Sequence, residues 1–178
     1  ETSEVSKESR RWLNYGLREL LNQIRIQILP DGASYEASTA YHRFVTEMVV
    51  STVEICELNQ DLSFRAKRGI STTNPRDSSR KNAARNDIYL DKLRETADKM
   101  IRVIDALRKP DGSIPLFGDE DGGKWIANYQ LPITNLQSPI SNLHHAGWFI
   151  YRHDEDYLAI RAGDNGQLGW GGHAHNDA

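Results

Sequence analysis

Two short polar clusters, far apart in the chain, hold the side chains best suited to chemistry. The first runs from Gln27 to His42 and includes Asp31, Glu36 and Tyr41. It spans a predicted turn and the start of a predicted helix, where backbone N–H groups lack partners and favour anionic ligands. A tyrosine there can act as a general acid or base when its surroundings stabilise the phenolate. Packing is the ordinary alternative for a Tyr–His pair on an amphipathic helix.

The second cluster lies in a glycine-rich stretch from Gly169 to Asp177. In an extended strand, residues two apart share a face, so His173, His175 and Asp177 project to the same side. Imidazole and carboxylate groups suit zinc, which takes four ligands in a structural site and three plus water in a catalytic one. The spacing indicates a metal or catalytic role, and a polar surface turn is the alternative.

A third stretch, residues 116–125, places three carboxylates in a loop bounded by glycines. Calcium prefers such oxygen ligands, but the spacing does not match an EF-hand loop. We therefore interpret this stretch as an acidic linker.

Three amphipathic helices are expected to position the first cluster. Apolar residues three and four apart predict helices over residues 6–28, from Ser38 or Thr39 to about Leu58, and from about Leu90 to Leu107. Pro-Asp-Gly sequences follow the first and third of these, as is typical of helix ends.

The pattern changes after Gly123 to short aromatic and β-branched runs. Residues 148–151 and 157–160 predict a β-hairpin with its turn at 153–156. Helices first and strands afterwards is the arrangement of an α+β protein or of two domains. We place the boundary between residues 123 and 147.

Composition limits the possible functions. The 178 residues suffice for roughly one domain of about 100–200 residues, and the net charge of −3 gives no general argument for nucleic-acid binding. The single Cys56 excludes an internal disulfide. No apolar run approaches the roughly 18 residues of a membrane span.

Two segments fit neither the helical nor the strand pattern. Residues 62–87 hold seven basic and two acidic side chains, a net charge of +5 that leaves −8 for the rest. Residues 128–143 contain a seven-residue repeat whose prolines exclude a helical heptad. We interpret 62–87 as a disordered basic insertion and 126–145 as a repeat-like linker insertion. A basic loop could also bind nucleic acid or an anionic glycan.

The order of four motifs resembles that of heparinase II/III-like polysaccharide lyases, relatives of certain alginate lyases. The resemblance covers residues of about 5–60, 88–126 and 145–178. The motifs are Gln27-x3-Asp31-Gly-x3-Glu36-x-Ser38-x2-Tyr41-His42, Gly118-Asp-x-Asp121-Gly, Gly147-Trp-Phe-Ile-Tyr-Arg152 and Gly171-Gly-His173-x-His175-x-Asp177.

The resemblance implies a partial α/α toroid over residues 1–125 and the first strands of an antiparallel β-sandwich over 146–178, with the active site in the cleft between them. Such lyases cleave uronic-acid-containing glycans by β-elimination. It further implies an anionic polysaccharide as partner, a periplasmic or secreted location and no membrane partner; no signal peptide is present in this chain.

Individual roles follow from the same resemblance. Tyr41 matches the catalytic tyrosine and His173 the catalytic histidine that faces it. Gln27, Glu36, His42 and Trp170 are expected to bind substrate. His175 matches a ligand of a structural zinc, whose other ligands would lie outside this chain.

We expect these 178 residues to be inactive by themselves, because the Asn or His that neutralises the substrate carboxylate in the family would also lie outside them. Two alternatives stay open. A metal-dependent hydrolase could activate water at the His-x-His-x-Asp sequence. A noncatalytic module could instead bind an anionic glycan or a nucleic acid through residues 62–87.

Overall fold

The structure is a computed structural model that describes residues 7–67, 78–119, 140–164 and His173. Three helices come first: α1 (Lys7–Gln27), α2 (Thr39–Lys67) and α3 (Ser78–Leu107). Three strands follow: β1 (Ile140–Leu143), β2 (Trp148–His153) and β3 (Asp156–Arg161). Within the described residues, no helix is long and apolar enough to cross a membrane.

The apolar stripes of the three helices form one core, with α3 packed against both α1 and α2. Each fully buried Leu, Ile or Met in such a core contributes about 1.5–3 kcal/mol of transfer free energy. The buried members are Leu17, Leu21, Ile24, Val49, Val50, Val53, Leu90, Leu93, Ala97, Met100, Ile101 and Ile104. The predicted helical periodicity identified the buried residues of α1 and α3, but of the three buried residues of α2 it included only Val49.

The strands form an antiparallel sheet in the order β1-β2-β3. Along β2, Trp148, Ile150 and Arg152 are buried and the alternate residues are exposed. Trp148 and Ile150 pack with residues of α3 in a second core that joins the sheet to the helices. The hairpin predicted for residues 148–160 is present.

Side chains of the sheet also donate hydrogen bonds to the carboxyl end of α3, where the last carbonyl groups have no partner within the helix. Arg152 Nε donates to the Arg108 carbonyl oxygen at 2.7 Å, and its Nη2 donates to that of Ala106. The Tyr157 hydroxyl donates to the Leu107 carbonyl oxygen at 2.8 Å. These bonds orient the sheet relative to the helices.

Two predictions made for the irregular segments are wrong in part. The segment 62–87 was predicted to be disordered, but 62–67 continue α2 and 78–87 begin α3; residues 68–77 lie outside the described residues. These ends lack an apolar stripe but are rich in Ala, Arg and Lys, which favour helix. The predicted linker 126–145 contains β1, because Ile140–Leu143 pair with β2.

Candidate active site

The site is built on the turn that joins α1 to α2. Gly32 has a φ of +95°, and a Cβ atom there would lie 2.6 Å from the Lys99 carbonyl oxygen of α3. The Gln27 carbonyl oxygen accepts the Tyr35 backbone N–H at 2.8 Å, which closes the turn. Glycine is therefore needed at this position both for its backbone conformation and for its lack of a side chain.

The Asp31 carboxylate ties this turn to the sheet. Its Oδ2 accepts the backbone N–H groups of His145 and Ala146, in the β1–β2 turn, at 2.8 and 2.9 Å. Its Oδ1 accepts the Ala33 N–H at 3.3 Å within the turn itself. Hydrogen bonds to a charged acceptor are stronger than neutral ones. One side chain therefore joins segments more than 110 residues apart.

The start of α2 is held by the segment that follows α3. Ser38 is the N-cap, because its Oγ accepts the Tyr41 backbone N–H at 3.2 Å. The same hydroxyl donates to the Asp119 carbonyl oxygen at 2.8 Å. The Thr39 N–H donates to the Phe117 carbonyl oxygen at 3.0 Å. The first turn of α2 and residues 117–119 thus form one unit.

His42 lies beneath this unit, with only 4% of its surface exposed. Its Nδ1 accepts the Ser34 backbone N–H at 3.1 Å, so Nε2 carries the proton and donates to the Met100 carbonyl oxygen at 3.0 Å. Burial lowers the pKa of His42 from 6.5 to about 4. The ring is buried and both its nitrogens are engaged, which indicates a supporting role for His42, and the substrate contact predicted for it stays a prediction.

Tyr41 and His173 meet above the same turn. Their rings are stacked, with centroids 3.6 Å apart and planes inclined by 14°. The His173 side chain is 33% exposed and Tyr41 is half-buried, so solvent and small ligands can reach the pair. The structure thus brings together the two residues predicted to be catalytic, one on α2 and one 132 positions later.

Two carboxylates flank the His173 ring, one near each nitrogen. Asp119 Oδ2 lies 3.1 Å from Nδ1, and the Asp119 backbone N–H donates to the His173 carbonyl oxygen at 2.8 Å. An ionised carboxylate only accepts hydrogen bonds, so the Nδ1 atom carries the proton in this contact. Glu36 Oε2 lies 3.8 Å from Nε2, is buried, and has no hydrogen-bond donor among the described residues.

The remaining predicted residues divide into two groups. Gln27 ends α1, and its side-chain Nε2 donates to Gln23 Oε1 at 3.1 Å along the helix. Trp170 and His175 lie outside the described residues. Within the described residues no group of three His, Cys, Asp or Glu side chains could hold a metal ion, and the predicted zinc site at His175 stays a prediction.

Asp119 belongs to the site, although residues 116–125 were interpreted as an acidic linker. The neighbouring Gly118 was a usable signal. It has a φ of +71°, and a Cβ atom there would overlap the His173 carbonyl oxygen and lie 3.0 Å from Ser38 Cα. A glycine followed by a carboxylate can therefore mark a close approach of two backbones beside a polar side chain.

Comparisons with known proteins agree with this arrangement of helices and sheet. Residues 4–67 match the model of the family described as heparinase II/III N-terminus. One similar solved structure is heparan sulfate lyase HepC from Pedobacter heparinus, with a TM-score of 0.57 and 18% sequence identity. The match covers 92% of this chain and 26% of that chain, so these residues span about a quarter of its length. A sequence search of curated proteins gave no match.

The fold is α+β, with a helical region followed by an antiparallel sheet, as predicted. The family match over residues 4–67 and the shared fold both support the predicted resemblance to heparinase II/III-like proteins. The domain boundaries at 125 and 146, and the sandwich beyond the three strands, stay predictions.

Proposed function

We propose that the chain carries part of a lyase site that cleaves uronic-acid-containing glycans by β-elimination, with Tyr41 and His173 as its catalytic residues. The observation that carries the proposal is the stacked, accessible Tyr41–His173 pair with a carboxylate near each imidazole nitrogen. The description of the similar solved structure as a heparan sulfate lyase supports the same reaction class.

The residue types suit this chemistry. The proton on C5 of a uronic acid is weakly acidic, so elimination needs a base to remove it, an acid to protonate the departing O4 and hydrogen bonds that neutralise the carboxylate. The Tyr41 hydroxyl can donate a proton to O4 and, as phenolate, accept the one from C5. His173 faces the same substrate position, and Asp119 orients its ring through Nδ1.

The finer features of the proposal rest on the resemblance. Heparan-type glycosaminoglycans are the first substrates to test, alginate the second, and a periplasmic or secreted location fits either polymer. Glu36 and Trp170 would contact the sugar, as would Gln27. A structural zinc at His175 would stiffen the segment that carries His173 without entering the elimination. Since the carboxylate-neutralising residue is assigned outside these 178 residues, we propose that they do not turn over substrate alone.

The test combines turnover with binding. The chain is mixed with heparosan, heparan sulfate or alginate, and the ultraviolet absorbance of the unsaturated uronate product is followed. In parallel, the side-chain resonances of His173 are recorded by NMR as uronate oligosaccharides are added. Tyr41→Phe and His173→Ala are compared with Tyr15→Phe and His153→Ala, whose parent side chains are exposed away from the pair.

Each outcome decides a separate part of the proposal. Unsaturated product that disappears in Tyr41→Phe supports the lyase and overturns the expectation of inactivity. Ligand-dependent shifts at His173 without product support the site and the inactivity together. New reducing ends without a double bond would show hydrolysis instead. If neither product nor shifts arise in a folded chain, the proposed site is wrong.

A further inference from the structure

A cavity of about 210 Å³ lies between the α1–α2 turn, the β1–β2 turn and the end of β3. Its apolar wall includes Ile26, Leu29 and Trp148, and its polar lining includes Tyr35, Arg161 and Asp164. An apolar wall beside a few hydrogen-bonding groups is the usual composition of a concave small-ligand site. The cavity has no role in the site described above.

Arg161 is the cation of this cavity. Its Nη2 donates to the Asp164 carbonyl oxygen, while its Nε is buried and has no acceptor among the described residues. A buried donor without a partner costs free energy, which an anionic ligand would recover. A guanidinium matches a carboxylate or a sulfate better than any other side chain, because its N–H groups can bond two oxygens at once.

The cavity adjoins the Tyr41–His173 pair through a single stretch of backbone. Ser34, Tyr35 and Ala37 line it, whereas Glu36, between them in sequence, reaches His173. Ala37 has a φ of +62°, which is unusual for a residue other than glycine. Strained backbone of this kind is found mainly at ligand-binding sites. One turn therefore forms a wall of both the cavity and the site.

The size of the cavity limits what it can hold. An engineered cavity of about 150 Å³ accommodates benzene. The larger volume here has room for one six-membered ring with small substituents. A sugar ring would place its apolar face against the cavity wall and its hydroxyl groups near Tyr35 and Asp164.

We infer that this cavity is a subsite for one acidic sugar residue, whose carboxylate or sulfate pairs with Arg161, next to the residue cleaved at Tyr41 and His173. The identity of the ligand as part of a uronate glycan rests on the proposed function. The cavity, the unpaired guanidinium N–H and the shared turn are independent of it.

The test measures binding rather than turnover. The dissociation constants of an unsulfated heparosan oligosaccharide, a sulfated heparan oligosaccharide of equal length and a neutral chito-oligosaccharide are measured by calorimetry, and the Trp148 indole N–H is followed by NMR. We expect Arg161→Gln to weaken binding of the acidic ligands about 10- to 100-fold, the range for a lost hydrogen bond to a charged group. Arg18→Gln, on an exposed part of α1, should change it less than about twofold.

The two acidic ligands show whether a carboxylate or a sulfate binds Arg161. Equal affinities would indicate that the carboxylate, which both ligands carry, pairs with Arg161. Tighter binding of the sulfated ligand would indicate that the sulfate does. Arg161→Lys should bind with intermediate affinity, which keeps the test decisive if the Gln variant does not fold. Trp148 should shift with either acidic ligand.

Three results would overturn the subsite: equal affinities for Arg161→Gln and Arg18→Gln, equal binding of the neutral ligand, or a Trp148 signal that no ligand moves. Tyr41→Phe separates this failure from failure of the lyase proposal. If that variant binds like the wild-type chain while Arg161→Gln loses binding, the subsite stands whatever the turnover of the Tyr41→Phe variant. If it loses binding while Arg161→Gln keeps it, the subsite is wrong and the Tyr41 site stands.

Discussion

The first turn of α2 has a buried side and an exposed side, and the adjacent residues Tyr41 and His42 lie on opposite sides. On the buried side, His42 has a partner on each ring nitrogen and almost no exposed surface. On the exposed side, His173 stacks on Tyr41, one third of its side chain is exposed, and a buried Glu36 oxygen lies close to it. A residue whose hydrogen bonds are all formed within the protein supports the fold. A residue that can still form hydrogen bonds at an exposed position can bind a ligand.

The difference has a physical basis in solvation. A buried polar group whose hydrogen bonds are all formed, such as the His42 ring, has no bonding capacity left for a substrate. A partly exposed ring keeps its bonding capacity because water serves as its partner until a ligand arrives. The two sides also depend on each other, since His42 and Ser38 hold the backbone that presents Tyr41.

The largest effect is expected from Gly118→Ala, which should disturb the position of His173 on the exposed side of α2. The added Cβ would overlap the His173 carbonyl oxygen at a backbone φ of +71°. Overpacking and positive-φ strain together should cost about 2–5 kcal/mol of unfolding free energy, unless His173 moves away from Tyr41 instead. Chemical denaturation measures the first outcome, and loss of the ring-current shift at His173 measures the second.

Gly112→Ala is the matched control, since Gly112 has a φ of +82° and, beyond its chain neighbours, no atom of the described residues would lie within 4 Å of the added Cβ. It should show only the conformational strain, about 1 kcal/mol. Equal effects of the two substitutions would mean that residue 118 does not position His173.

The next largest effect is expected on the buried side, where lowering the pH should destabilise the fold through His42. His42 has a folded-state pKa of about 4 against 6.5 unfolded, so the unfolded chain binds more protons between these values. Stability should therefore fall as the pH drops from about 6.5 to 4, by about 3 kcal/mol from this residue. Urea denaturation of the wild-type and His42→Gln chains at pH 7 and pH 4.5 isolates this term. A wild-type pH dependence no steeper than that of the variant would contradict the burial of a neutral His42.

A smaller effect is expected from Asp31→Ala, which removes the link between the supporting turn and the sheet. Three backbone N–H groups lose a charged acceptor, and water can reach the exposed one at His145. We expect a loss of about 2 kcal/mol and faster amide exchange at His145 and Ala146.

Asp111→Ala serves as the control, because among the described residues its carboxylate bonds to Ser113 and Lys109 alone, in an exposed turn. It should cost about 0.5 kcal/mol or less. Unchanged exchange at Ala146 in Asp31→Ala would show that this carboxylate does not anchor the sheet.

Local patterns predicted much of this fold, and nonlocal contacts account for what they missed. The apolar periodicity of α1 and α3 and the alternation in β2 depend on nearby residues, so they could be read from the sequence. β1 has only four residues beside a proline-bearing repeat, so its sequence carries little strand signal. Its backbone pairing with β2 holds it in a strand. The charged ends of α2 and α3 carry no apolar stripe, although their composition favours helix.

The candidate site shows the same limit. Tyr41, Glu36 and His173 were recognised by the resemblance of their motifs, and the structure places them together. The role of His42 could not be assigned in this way, because it depends on a carbonyl group 58 residues away. Asp119 likewise acquires its role only when the chain brings it to His173.

The most direct test of the account compares the two histidines in one experiment. Uronate oligosaccharides are added to the isotopically labelled chain, and the ring C–H resonances of His173 and His42 are followed by NMR at neutral pH. We predict progressive shifts at His173, reduced in Tyr41→Phe, and no shift at His42. Shifts at His42 with an unmoved His173 would contradict the assignment of the substrate site to the exposed side of α2.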